Sequence, residues 1–149
     1  MWVNHAALDT NVLVYALYAD AEHHRAARAL LDRAADDTAA FCVTPQILAE
    51  FYAVVTNPRR VTEAKSSDEV LNVIEMLLAL PGLSLLPIPV DIVTQWIQLL
   101  REHPVTGSDV FDVQLVATLR SHGVTQLYTF NRQDFAWFSD LDIHTPSIS

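Results

Sequence analysis

The chain has 149 residues, enough for one domain of ordinary size, and 51% of it is hydrophobic, so it can bury a core and is not a disordered tract. Eighteen carboxylates against 9 Lys plus Arg leave a formal net charge of −9, which argues against a protein that coats nucleic acid by unspecific attraction to phosphate. It does not exclude an enzyme whose clustered carboxylates hold cations, because bound ions invert the local field.

The elements alternate from the start. Ala6-Ala7-Leu8 is a short apolar strand, and Asp9-Thr10-Asn11 opens a helix that ends near Tyr18. His23 to about Ala35 is a second helix, rich in Ala and Leu, with His23-His24 at its solvated start. Phe41-Cys42-Val43 reads as a strand. Thr44 then caps a helix that admits Pro45 in its first turn and stops at Thr56, before the Asn57-Pro58 turn. Ser67-Asp68 caps a helix through Leu80, closed by Pro81-Gly82. Leu83–Ile88 is a strand, Val90–Arg101 a helix with apolar Ile92, Val93, Trp96, Leu99 and Leu100, and Val110–Ser121 another helix ended by His122-Gly123. Gln126–Thr129 is a strand, and Leu141–Thr145 a last strand at the sheet edge.

Such βαβα alternation predicts a mostly parallel sheet with helices on both faces, a three-layer α/β/α fold in a single domain, 1–149. No apolar run reaches the ~18–20 residues a membrane helix needs, since Val70–Leu80 is broken by Asn72 and Glu75. The first residues, Met1 to His5, do not resemble a signal peptide. Cys42 is the only cysteine; its apolar setting predicts a buried, inert thiol, and a lone cysteine suits a cytoplasmic protein.

In a parallel sheet, ligands sit at the carboxyl ends of the strands, and several acidic residues fall there. Asp9 follows the first strand. Glu50 lies among apolar neighbours on a helix, where a half-buried carboxylate needs a partner. Asp109 and Asp112, three apart, share one face of a helix start. Asn131 and Asp134 follow the strand ending at Thr129. Each also has a structural reading. Asp9 caps a helix, Glu50 is solvated, Asp109 completes a capping box with Thr106, and Asp134 caps a turn at Phe135-Ala136-Trp137. Taken together, the carboxylates suit a divalent cation of the Mg²⁺ or Mn²⁺ kind, which prefers oxygen ligands and can position a phosphodiester and activate water. Rival cofactor sites are absent: there are three glycines and no phosphate loop, no Cys/His zinc spacing, and Ser108 lacks the turn of a hydrolase nucleophile.

Four segments in order carry a resemblance. They are Ala7-Leu8-Asp9-Thr10-Asn11-Val12-Leu13, then Thr44-Pro45-Gln46-Ile47-Leu48-Ala49-Glu50-Phe51, then Gly107 to Ala117 with His122-Gly123-Val124, then Leu127 to Phe135. Over nearly the whole chain the sequence resembles the PIN domain, and within it the VapC toxins of bacterial toxin–antitoxin pairs. The resemblance implies Mg²⁺-dependent endonucleolytic cleavage of RNA, with Mn²⁺ able to substitute, by in-line attack of water that leaves a 5′ phosphate. Asp9, Glu50 and Asp112 take the metal-binding and catalytic carboxylate positions. The fourth acidic position holds Asn131, whose amide oxygen can coordinate but adds no charge; Asp134 or Asp109 would compensate. Asn11 and Thr129 take polar positions that orient the ligands. Arg59, Arg60 and Arg132 are candidate RNA contacts. The resemblance further implies a cognate VapB-type antitoxin, an RNA substrate (tRNA, rRNA or mRNA), and a homodimer joined through apolar residues of the first helices.

Haloacid-dehalogenase-like phosphatases also place an Asp after the first strand, but they want a second Asp two residues on, where this chain has Asn11, and a suitably placed lysine, where it has only Lys65. A receiver domain fails on the same grounds. The remaining alternative is a catalytically weak PIN fold that binds RNA or protein; Asn131 favours it, and the retention of Asp9, Glu50 and Asp112 opposes it.

Overall fold

A computed structural model describes residues 1–148. Five short strands, β1 (Ala6–Leu8), β2 (Phe41–Val43), β3 (Leu83–Leu85), β4 (Gln126–Tyr128) and β5 (Asp142–His144), form one sheet in the order β3-β2-β1-β4-β5. All four pairings among the described residues are parallel, in keeping with the expected parallel sheet. The helices are α1 (Thr10–Leu17), α2 (His24–Arg33), α3 (Pro45–Val55), α4 (Ser67–Leu78), α5 (Ile92–Glu102) and α6 (Val110–Ser121). α1 packs against α2 and α3, α3 against α4, and α5 against α6, which completes the three-layer α/β/α arrangement.

Local chemistry explains most boundaries. Thr44 Oγ1 accepts from Ile47 N at 3.1 Å and Pro45 sits at the first position of α3, as expected. At α4 the cap is Ser66, one residue before the expected pair, because a reciprocal capping box forms between Ser66 and Glu69. β3 ends at Leu85, short of the expected Ile88; Pro87 and Pro89 cannot donate to a ladder. α6 ends at Ser121, and Gly123 takes φ +73°, so the His122-Gly123 stop is real. Gly82 serves close packing: a Cβ there would collide with the backbone carbonyls of Asp36 and Ala34.

The core is apolar and continuous, from Leu8, Val12 and Leu13 through Val43, Phe51 and Leu86 to Leu115, Leu127, Phe135 and Phe138. Cys42 is fully buried, and burial alone pushes its thiol up to about 12, which makes it inert as expected. The apolar stripes of α1 and α2 (Val12, Leu13, Ala16, Ala27, Leu30, Leu31) are spent on this core. Several of the exposed large apolar side chains lie elsewhere, at Leu71, Met76 and Leu78 on α4 and at Ile88, Val90, Val93 and Ile97 around α5, while Val14, Tyr15 and Leu17 of α1 are partly exposed. Among the described residues, no helix is long and apolar enough to cross a membrane.

The sheet order fixes where a site can form. Chain order runs outward from β1 through β2 to β3, then returns to the other side of β1 with β4. The switch point therefore lies between the carboxyl ends of β1 and β4. The register pairs Leu8 with Tyr128, so the next residues, Asp9 and Thr129, meet at that crevice.

Candidate active site

Asp9 is 8% exposed and lies at the junction of β1 and α1. Its backbone N–H continues the ladder by donating to the Tyr128 carbonyl at 3.0 Å. One carboxylate oxygen accepts from Thr10 N at 2.8 Å, so Asp9 does cap α1. The other accepts from Thr129 Oγ1 at 2.8 Å and, at 3.4 Å, from Asn11 Nδ2. The capping and site readings of Asp9 are therefore compatible: one oxygen serves the helix, the other faces β4.

Thr129 and Asn11 are the hub of the crevice. Thr129 is fully buried and its hydroxyl accepts from Asn11 Nδ2 at 3.2 Å and from Asn131 N at 3.0 Å. Asn11 Oδ1 accepts from Phe130 N at 3.1 Å. Thr129 and Asn11 thus bind the start of α1 to the chain leaving β4, and they aim Asp9. Both were singled out in the sequence.

Glu50 comes from the second turn of α3 and is half-buried, not a solvated helix residue. Thr10 Oγ1 donates to its Oε2 at 2.9 Å and Gln46 Nε2 to its Oε1 at 3.0 Å. Thr10 and Gln46 were not identified as site residues from sequence. The signal for Gln46 was present, since it lies four residues before Glu50 on the same helix face.

Asp112 stands in the first turn of α6, half-buried, with its pKa pushed up to about 7. Burial is the largest cause, followed by repulsion from Asp9, Asp134, Glu50 and Asp109. Asp9 is also raised, mainly by burial and further by Glu50 and Asp134, while the hydrogen bonds from Thr129 and Thr10 pull the other way. No basic side chain figures among the causes for either group. Among the described residues, no ion pair joins either carboxylate to a basic side chain.

The remaining expected residues separate. Asn131 and Asp134 line the same cleft as Asp9, Glu50 and Asp112, a hollow of about 1140 Å³. Asp134, like Glu50, raises both Asp9 and Asp112, so its negative charge acts at the same cleft that Asn131 lines. Asp109 is exposed and ends a short 3-10 turn, Gly107–Asp109. Thr106 makes no side-chain cap there, so the expected Thr106–Asp109 capping box is corrected: the interposed turn moves α6 to Val110. Arg60 lines the cleft, together with Lys65, Tyr15 and Tyr18. Arg59 is exposed and is not part of the lining. Arg132 donates to the Ile143 carbonyl and lines a separate hollow on the β5 side, which takes it away from the cleft. The His23-His24 pair is not simply solvated: His23 stacks on Phe130 with centroids 4.5 Å apart, and His24 Nδ1 donates to the Tyr15 carbonyl at 2.9 Å.

The donor set fits a hard cation in chemistry: oxygen donors, partial burial, mutual repulsion and no ion pair to a basic side chain among the described residues. As placed, no three Asp, Glu, His or Cys side chains among the described residues converge tightly enough to hold an ion.

The model of the PIN domain matches residues 6–142. The chain belongs to the PIN-domain family. Among PIN proteins it is 35% identical over 123 residues to ribonuclease VapC43 of Mycobacterium tuberculosis, covering 80% of this chain and 82% of that protein. The fold matches VapBC2 from Rickettsia felis, solved bound to a DNA fragment from their promoter, at TM-score 0.66 and 17% identity, with 96% of this chain and 99% of that one covered. It also matches a toxin–antitoxin complex from Klebsiella pneumoniae at TM-score 0.60 and 20% identity, over 97% and 99% of the two chains. These two likenesses speak to the fold; the family rests on the model match and on VapC43.

Proposed function

We propose that this PIN protein is a VapC-type toxin, an endoribonuclease that hydrolyses RNA with a divalent cation and is held inactive by a cognate VapB-type antitoxin. The observation that carries the reading is the crevice between β1 and β4. There Asp9, Glu50, Asp112 and Asp134 meet in one cleft, and no basic side chain relieves Asp9 or Asp112. The name of VapC43 supplies the substrate class, and the Klebsiella pneumoniae complex the kind of partner.

Asp9, Glu50 and Asp112 would hold the cation, with Asn131 through its amide oxygen and Asp134 by charge. When bound, Mg²⁺ or Mn²⁺ would neutralise the carboxylates, polarise the phosphodiester and make water a competent nucleophile. The chain does the positioning. Thr129 and Thr10 N–H hold the two oxygens of Asp9 in fixed directions. Asn11 locks Thr129 and Phe130 to the same helix start. Arg60 and Lys65 stand on the cleft lining, where they can meet flanking phosphates. Arg132 is left out of this role by its place on the β5 side. RNA would be chosen by shape and contacts, because hydrolysis by water requires no 2′-OH. The whole chain would act as one PIN domain in the cytoplasm, and self-association would draw on the apolar side chains exposed around α4 and α5.

The test is cleavage of total RNA by purified protein with Mg²⁺ or Mn²⁺, with a chelator, and with Asp9→Ala. Discrete cuts that vanish with chelator and with the variant support the nuclease. If the protein binds the cation and RNA yet never cuts, the second reading takes over, a catalytically weak PIN module, which Asn131 at the fourth acidic position favours.

A further inference from the structure

Three helix starts deliver the carboxylates of the cleft: α1 through Asp9, α3 through Glu50, and α6 through Asp112. Carboxylates that repel one another should spread apart unless something holds the helices in register. Between α1 and α3 the tie is Thr10 Oγ1, which donates to Glu50 Oε2 at 2.9 Å. Between α3 and α6 it is one amide. Gln46 Nε2 donates to Glu50 Oε1 at 3.0 Å and to the backbone carbonyl of Phe111 at 2.8 Å. Phe111 is the residue before Asp112.

The orientation of that amide is settled by chemistry. Both acceptors are oxygens without a hydrogen to give, a carboxylate and a carbonyl, so the NH₂ end must face them and both of its hydrogens are used. The reversed amide would set oxygen against oxygen twice. Gln46 Oε1 is buried and has no hydrogen-bond partner among the described residues, so the amide is arranged for what its nitrogen does.

We propose that Gln46 is a positioning residue: its two donated hydrogen bonds lock the Glu50 carboxylate to the first turn of α6, so that the spacing of Glu50 and Asp112 is set before a cation arrives. The inference rests on the cation-binding reading given above. Gln46 is not among the residues that line the cleft. Its effect passes through Glu50, in the way that hydrogen bonds to metal ligands tune a site from outside it.

The test is Gln46→Met, nearly the same size with no donor, compared with wild type and with Thr44→Val. Thr44 caps the same helix but contacts no cleft carboxylate in the hydrogen-bond network, so it reports loss of α3 stability alone. Mn²⁺ affinity is measured by calorimetry without RNA, and initial cleavage rates on total RNA are measured across Mn²⁺ concentration. Gln46→Met should weaken Mn²⁺ binding roughly 10- to 100-fold. It should lower kcat at limiting Mn²⁺ and recover as Mn²⁺ is raised, with KM for RNA unchanged. Thr44→Val should lower the melting temperature and leave Mn²⁺ affinity of the folded protein as it was. If Gln46→Met behaves like Thr44→Val, less stable but binding Mn²⁺ as tightly as wild type, the positioning role is overturned while the cleft reading stands. If wild type binds no Mn²⁺ or Mg²⁺, both fall together.

Discussion

Two hollows on this molecule hold most of its interesting charge, and they treat it in opposite ways. The hollow of about 580 Å³ on the β5 side is lined by Arg33, Arg132, Tyr128 and His144. There both guanidinium groups have an internal partner: Arg33 lies over the Phe41 ring at 5.2 Å, and Arg132 donates to the Ile143 carbonyl at 2.6 Å. The cleft between β1 and β4 gathers Asp9, Glu50, Asp112 and Asp134, and although Arg60 and Lys65 also stand on its lining, no ion pair reaches Asp9 or Asp112 among the described residues. Charge that is answered within the chain is part of the fold. Charge left unanswered and half-buried costs stability, and it persists where something from outside supplies the counter-charge.

The comparison breaks most sharply on exchange of a single atom. Asp9→Asn keeps the shape and one acceptor, but it removes the charge and turns an NH₂ toward donors that the carboxylate accepted from. It is expected to slow RNA cleavage on the order of 10²–10³-fold, as losing one preorganised electrostatic element does. Arg33→Gln, in the other hollow, should leave cleavage rates unchanged. Equal losses in the two variants, measured on total RNA, would erase the distinction between the hollows.

A second expectation concerns protons. With Asp112 pushed up to about 7, protons compete with the cation for this carboxylate. Mn²⁺ affinity by calorimetry should fall as pH drops below 7, by up to about tenfold per pH unit for one competing proton. It should level off above 8. A flat profile between pH 5 and 8 would mean that Asp112 does not bind the ion.

A smaller effect should appear in stability. A carboxylate whose folded pKa is raised contributes stability at low pH, and that contribution is lost as pH rises through the folded value. The window here runs from the ordinary value of 3.8 to about 7. In cation-free protein at pH 8, Asp112→Asn should therefore raise the melting temperature. Half exposure screens the penalty to about 1–2 kcal/mol, which corresponds to roughly 3–6 °C for a chain of this size. At pH 4 the gain should vanish, and saturating Mn²⁺ should reverse its sign at pH 8. Thermal melts of the two proteins across pH read this directly.

Much of the fold was legible because its signals are local. The Thr44-Pro45 start of α3, the Gly123 stop of α6 and the apolar triplets Ala6–Leu8 and Phe41–Val43 depend on neighbours in sequence. Where signals compete locally, the reading slipped. Ser66 outcompetes Ser67 because Glu69 lies three residues after Ser66 and can close the box. Thr106 loses its helix to the 3-10 turn at Gly107, which takes φ +60°. Much of the apolar surface of α1 and α2 is core while Val14 and Leu17 stay partly exposed, since an amphipathic stripe alone does not say which of its residues will be covered.

The sequence by itself determined the element types, the parallel class of sheet and the positions of the carboxylates along the chain, because periodicity, caps and strand ends are short-range properties. Tertiary structure alone decided which acids share a field. Asp134 lines the cleft with Asp9 and Asp112, Asp109 acts on Asp112 from outside the lining, and Arg132 leaves for another surface. It also decided that Thr10 and Gln46 hold Glu50. The reason is physical: the crossing of β1 and β4 brings residues about 120 positions apart into hydrogen-bonding range, and burial and Coulomb energy depend on distance in space, which no local pattern records.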